Sequence, residues 1–174
     1  MAQSQGHGCE LYGGGAEVKF EIANIQEFPP LKPTVANRMW KAWWEPAGNN
    51  FQTVVDHIEE IPAKRGIPFG LVAHDNGTYI GSVLGIASDL EVRPALTPWV
   101  AALWVDSDYR KQGVANALMK AALVEIFALG PACAYLCATA EKRAHYLRFG
   151  WRFIEQGVGG DALDVFEISN IQNL

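Results

Sequence analysis

Cysteine is scarce. The 174 residues carry three, Cys9, Cys133 and Cys137, too few for a disulfide framework. Cys133 and Cys137 stand four apart in ALGPACAYLCAT, which reads as a buried strand; at a rise of ~3.3 Å per residue their Cα atoms lie about 13 Å apart, beyond the ~7 Å reach of a bridge. No second Cys or His pair stands nearby at ligand spacing, so a metal centre is not expected. The chain is read as cytoplasmic, with reduced thiols among small core residues. Long apolar runs are missing too: none approaches the roughly 18 residues of a membrane helix, and no basic start leads into an apolar stretch as in a secretory signal. Charged residues are only 19% of the chain, and 14 basic against 19 acidic side chains give a formal charge of −5, which argues against nucleic acid as a partner. Neither G-x-x-x-x-G-K-[ST] nor G-x-G-x-x-G occurs, so two common phosphate-binding loops are excluded.

What is present is enough for one core: 49% of residues are apolar, and the length suits a single domain. Residues 1–16 are Gly-rich and aperiodic and read as a flexible lead-in to one domain spanning 17–174. Val18, Phe20 and Ile22 alternate with Lys19, Glu21 and Ala23 as in a half-buried strand. After PPLKPT, Thr34 is the expected N-cap of a helix through Trp44, stopped before Pro46. A second helix starts near Asn50 and ends before Gly66. Asp75-Asn76-Gly77 joins two apolar runs as a hairpin. A polar loop, SDLEVRPALTP, then leads to the apolar run Trp99–Val105. A helix over 114–129 closes at Gly130-Pro131; Ala117, Ala121, Val124 and Ala128 recur on one of its faces, which predicts a covered helix. The Cys-bearing strand, a short helix over 142–149 and strands over 151–155 and 163–168 follow. The order β-α-α-β-β-β-α-β-α-β-β predicts a mixed α/β sheet flanked by helices.

The informative stretch is Trp99–Leu118: a strand, the loop DSDYRKQG, and a helix opening on small residues. A helix N-terminus offers free N–H groups and the positive end of the dipole. Gly113 permits close backbone approach, Ala115 keeps the first turn uncrowded, and Arg110 and Lys111 add charge. Together they suit a diphosphate; a plain solvent-facing connection is the alternative.

Arg110-x-x-Gly113-x-Ala115 after Leu103-x-Val105 resembles the acyl-CoA-binding signature (Q/R)-x-x-G-x-(G/A) of the GNAT acyltransferase superfamily. His145-Tyr-Leu-Arg-Phe-Gly-Trp151 resembles the later motif Y-x-x-x-G-(F/W), in the right order and at the right distance. Asp89–Trp99 is similar to the D-L-x-x-R-P-x-L-x-P-W loop of a bacterial subgroup. The resemblance implies a GNAT-like fold, its central, mostly antiparallel sheet splayed at a cofactor wedge. It implies an N-acetyltransferase that moves the acetyl group of acetyl-CoA to a small-molecule amine by direct attack, without metal, nucleic acid or membrane, and with a homodimer open to it. Leu103, Trp104 and Val105 would pair with pantetheine; Arg110, Lys111, Gln112, Gly113, Val114 and Ala115 would hold the pyrophosphate; Thr139, where relatives carry asparagine, is a weaker cofactor contact. Tyr146 would protonate the leaving thiolate. No carboxylate lies on the strand Trp99–Val105, so Glu91 is taken as the base acting through water, with Asp89 as its alternative and Asp106 read as a turn or capping residue. His145, next to Tyr146, is expected to point some 100° away on the helix. Trp40, Trp43 and Trp44 read as core rather than as an acceptor pocket. A non-catalytic acyl-CoA sensor is the alternative reading of the whole.

Overall fold

The computed structural model describes residues 18–170; the lead-in 1–16, with His7 and Cys9, lies outside them. The strands and α-helices follow in the order β1 (Glu21–Asn24), α1 (Lys32–Met39), α2 (Phe51–Glu59), β2 (Phe69–Asp75), β3 (Thr78–Ile86), β4 (Trp99–Val105), α3 (Val114–Phe127), β5 (Cys133–Ala138), α4 (Arg143–Arg148), β6 (Arg152–Val158) and β7 (Leu163–Ser169). This is the order expected from the pattern. The strands form one sheet, β1-β2-β3-β4-β5-β7-β6, antiparallel throughout except for the parallel pair β4–β5.

Local chemistry sets most boundaries. The Asn50 side chain caps α2 by accepting from Gln52 N–H at 2.8 Å, as an N-cap should. Asn76 and Gly77 turn the β2–β3 hairpin with φ of 47° and 83°, the positive values of a type I′ turn. Other expectations need correction. Helix α1 starts at Lys32, two residues before Thr34, because Pro33 sits in its first turn, where a fixed φ and a missing N–H cost nothing. Its continuation over 40–44 widens into a π-helical turn, with Glu45 N–H donating to Trp40 O at 2.8 Å.

Two cores lie on the two faces of the sheet. On one face α3 buries Val114, Leu118, Ala122 and Ile126 against Leu71, Ile80, Val100 and Phe166. The Ala117–Val124 face is not the covered one: Val124 is 64% exposed, since the sheet takes the stripe with the larger side chains. On the other face α1 and α2 pack Val35, Met39, Val54 and Ile58 against Val72 and Tyr79. A third cluster on that side, built on Trp99, Val158 and Val165, gathers Leu90, Leu96, Tyr135, Cys137 and Ile154. Cys133 and Cys137 are both free and partly exposed.

Candidate active site

Strand β4 is irregular where the chemistry is expected. Its register with β3 shifts between Ser82↔Trp104 and Leu84↔Ala101, so Ala102 and Leu103 together oppose Val83, and Ala102 takes a φ of 50°. This is a β-bulge, which bends its strand and re-aims side chains. Gly81 permits it: a Cβ there would stand 2.7 Å from the Trp104 carbonyl oxygen. On its other edge β4 pairs with β5 only at Trp99↔Tyr135, where Tyr135 N–H donates to Pro98 O at 2.9 Å. Beyond that point the strands separate, and Leu103–Val105 pair with no residue of β5. The sheet is split at its centre, as expected.

The split opens on the α3 face into a cleft lined by Leu103, Ala115, Asn116, Met119, His145, Tyr146, Phe149 and Trp151. Trp151 is 2% exposed, and its indole N–H has no partner, an unused donor beside the cleft. Tyr146 packs on Phe166 and Trp151, with ring centroids 5.4 and 6.5 Å away. Burial, then the neighbouring Cys137, pushes its phenol above the ordinary range, so the hydroxyl keeps its proton at neutral pH. His145 also borders the cleft, stacked edge-on between Tyr146 and Phe149. The 100° separation on the helix does not remove it: both side chains line the cleft. Burial and the charges of Arg148 and Lys142 lower its pKa.

At the end of β4, Asp106 heads a turn as expected, its carbonyl accepting from Tyr109 N–H at 3.0 Å, while its side chain is an anchor. Its carboxylate accepts from Arg38 of α1 at 2.7 and 2.9 Å and from the Trp104 indole at 2.8 Å. Burial alone would raise its pKa, but the bonds from Arg38 and Trp104 and the charges of Arg38 and Arg110 hold it below the ordinary carboxylate range. Its stabilising effect is therefore complete above the unfolded value of about 3.9 and is lost as pH falls through the lower folded value. Asp106→Asn should cost about 1.5–3 kcal/mol at pH 7, a deficit that shrinks as pH falls below about 3.9 and is lost as pH falls through the lower folded value in pH-dependent urea melts.

The following loop exposes its backbone. Lys111 and Gly113 have φ of 61° and 83°, and α3 starts at Gly113 with no side-chain cap. Val114, Ala115 and Asn116 therefore present first-turn N–H groups, an anion cradle. Lys111 is exposed and has no ion partner among the described residues. Arg110, on the same loop, is tied back to the strand. Its Nε donates to Val105 O at 2.8 Å and its guanidinium lies 5.0 Å over the Trp104 ring, so it braces the strand end.

The remaining candidates are dispersed. Thr139 is exposed where β5 ends, its carbonyl accepting from Lys142 N–H. Trp104 and Ala102 turn to the α1–α2 face, where Trp104 meets Trp43 edge-on at 6.1 Å. Trp40 and Trp44 pack in that core as expected, but Trp43 is 43% exposed. Glu91 is exposed and makes no hydrogen bond or ion pair among the described residues. Asp89, two residues earlier, accepts from the Cys137 thiol at 3.1 Å. The composition of the Cys133–Ala138 strand carried no signal for that contact.

Residues 69–153 match the model of the acetyltransferase (GNAT) domain. No curated protein matches the sequence. Among solved structures, an aminoglycoside 6′-N-acetyltransferase complexed with coenzyme A superposes with a TM-score of 0.66 at 15% identity, over 86% of this chain and 96% of that one. An acyl-CoA N-acyltransferase from Pseudomonas aeruginosa gives 0.62 at 19%, over 87% and 99%, and an N-acetyltransferase from Staphylococcus aureus Mu50 gives 0.63 at 17%, over 87% and 99%. These likenesses establish the fold, and the matched segment runs from β2 through the split strand, the loop and α3 to Trp151 and Phe153. The chain thus has the fold of these acetyltransferase structures, and its residues 69–153, just under half of its length, match the acetyltransferase (GNAT) domain model.

Proposed function

We propose that the protein is a cytoplasmic N-acetyltransferase that transfers the acetyl group of acetyl-CoA to the amine of a small cationic molecule by direct attack, and that its Asp89–Trp99 loop groups it with bacterial enzymes carrying D-L-x-x-R-P-x-L-x-P-W. The observation that carries this reading is the split between β4 and β5, with Tyr146 beside one face and an uncapped helix start at its end. Pantetheine would pair with backbone groups of Leu103–Val105 that β5 leaves free, its thioester at the bulge. An N–H of the bulged strand would stabilise the oxyanion of the tetrahedral adduct, an interaction worth about 2.7–4 kcal/mol in comparable sites. The pyrophosphate would sit on the N–H groups of Gly113, Val114 and Ala115, with Lys111 supplying charge. Arg110 shapes this cradle through Val105 and Trp104. Tyr146 would protonate the departing thiolate.

An amine acceptor is supported by the formal charge of −5 and by the likeness to an aminoglycoside N-acetyltransferase. The test is ligand-induced stabilisation followed by turnover. Acetyl-CoA at 100 times its Kd should stabilise the protein by about 2.7 kcal/mol, and thiol release should appear with members of a primary-amine panel. Gly113→Val places a β-branched residue at a φ of 83° where nothing among the described residues stands within 4 Å of the new Cβ. It should therefore cost only about 1–2 kcal/mol of backbone strain while removing most of the acetyl-CoA shift. An unchanged shift would exclude the cradle. Stabilisation without thiol release from any amine would favour the acyl-CoA sensor.

A further inference from the structure

The catalytic reading leaves one task unassigned. An alkylammonium, with a pKa of about 10.4, must lose a proton before it can attack, and β4 carries no carboxylate. We propose that Asp89 takes this proton, directly or through one water, and that the Cys137 thiol holds the Asp89 carboxylate in position. The proposal rests on the acetyl transfer inferred above and deepens it.

The geometry of the split sheet carries the argument. Side chains alternate across β5, so Leu136 and Ala138 join the α3 face whereas Tyr135 and Cys137 join the opposite one. Tyr146 lies on the α3 face, and Cys137 is close enough to influence its ionisation. Cys137 and Tyr146 therefore lie on opposite faces of the sheet. Asp89 reaches it from the loop before β4, its Oδ2 3.1 Å from Sγ. A thioester lying in the split would have the phenol on the side of its sulfur and the Asp89 carboxylate on the side left for an incoming nucleophile. Acid and base would flank the reacting carbon from the two faces of one sheet.

The surroundings suit a base. Among the described residues no cation pairs with Asp89: Arg93, on the same loop, is committed to Glu155 of β6 in a two-pronged pair, and Glu91 is exposed and unpaired. Leu90, Leu96 and Ile154 form an aliphatic wall nearby. Burial raises the Asp89 pKa, against the hydrogen bond from Cys137, which lowers it. A carboxylate raised in this way is a better proton acceptor at neutral pH than a solvated one. Burial, then the Asp89 charge and the bond to it, pushes the Cys137 thiol up, so it stays protonated and donates. Asp89 is also solvent-accessible, as a group that meets an incoming amine has to be.

The step balances. The ammonium gives one proton to Asp89 and becomes a free amine. Its nitrogen bonds to the thioester carbon, and the C–S bond breaks as the adduct collapses. The thiolate takes the Tyr146 proton, the nitrogen sheds its second proton through solvent to restore the phenol, and Asp89 returns its proton to water.

The experiment is the pH–rate profile of the full chain with acetyl-CoA and the most active amine of a primary alkylamine panel, for wild type and the Asp89→Asn, Cys137→Ala, Cys137→Ser and Glu91→Gln variants. Asp89→Asn should lower kcat/KM for the amine by roughly 10²–10³-fold at pH 7. Activity should recover as pH approaches the amine's own pKa, with the Kd for acetyl-CoA unchanged. Cys137→Ala should cost less than Asp89→Asn and move the acid limb to higher pH, because the hydrogen bond favouring the charged carboxylate is gone. Cys137→Ser, which keeps a donor, should restore the limb; a merely packing cysteine would not show that rescue. A wild-type profile in Asp89→Asn overturns the proposal, as does loss of the acid limb in Glu91→Gln instead. Failure of the wild type with every amine overturns the transfer reading, and this assignment with it.

Discussion

Replacing Tyr146 by Phe is expected to lower kcat by roughly 10²–10⁴-fold, the usual contribution of a general acid, with the Kd for acetyl-CoA retained. The substitution removes one hydroxyl and little volume, and the ring contacts with Phe166, Trp151 and His145 survive it. Stability should therefore change by less than about 1.5 kcal/mol. A CoA thiol has a pKa near 8.5, so its thiolate leaves more readily with a donor at hand. Because the Tyr146 phenol is raised above its usual range, the donor form persists through neutral pH and is lost only as pH rises past about 10. The wild-type profile should accordingly show no loss of this acid between pH 6 and 9, and Tyr146→Phe should depress the rate evenly across that window. Single-turnover kinetics with an active amine would check both statements. Unchanged turnover would return the residue to a packing role.

The largest expected effect on stability belongs to a pair far from any motif. Asp164 of β7 is fully buried, and its Oδ2 accepts from Arg143 Nε at 2.7 Å while the guanidinium lies 4.4 Å over the Phe153 ring. Its other oxygen has no partner. Arg143 opens α4, so this pair ties the helix that carries Tyr146 to the sheet. Breaking a buried pair from one side costs about 3–5 kcal/mol. Arg143 is one-third exposed and can partly rehydrate, which points to the lower end. Asp164→Asn should thus lose about 3 kcal/mol in urea unfolding at pH 7 and also lower kcat, since α4 is released. Asp164→Leu combined with Arg143→Met, which leaves no orphaned charge, should recover most of the stability. A loss under 1 kcal/mol in Asp164→Asn would mean that packing alone positions α4.

The amino-acid sequence by itself determined whatever depends on neighbours along the chain. Asn50 caps α2 and Asn76-Gly77 turns the hairpin because a side-chain acceptor two residues from an N–H, or tolerance of positive φ, acts within three or four residues. The strand–loop–helix with Gly113 at its hinge and the short helix before Gly150 were legible for the same reason, whereas the alternation at Val18 and Phe20 precedes β1, which runs only Glu21–Asn24. Tertiary structure decided what depends on strand order and on which face meets which. The bulge at Ala102 arises from pairing with β3, and the buried stripe of α3 is the one the sheet selects by volume, leaving Val124 in water. Arg110 turns back onto Val105 because β4 ends beneath it, and Asp106 meets Arg38 across 68 residues because α1 crosses the end of that strand. Asp89 and Cys137 are 48 residues apart. Only the placement of β5 beside β4, with the loop folded over their open edge, brings carboxylate and thiol together, since no local propensity acts over such a separation.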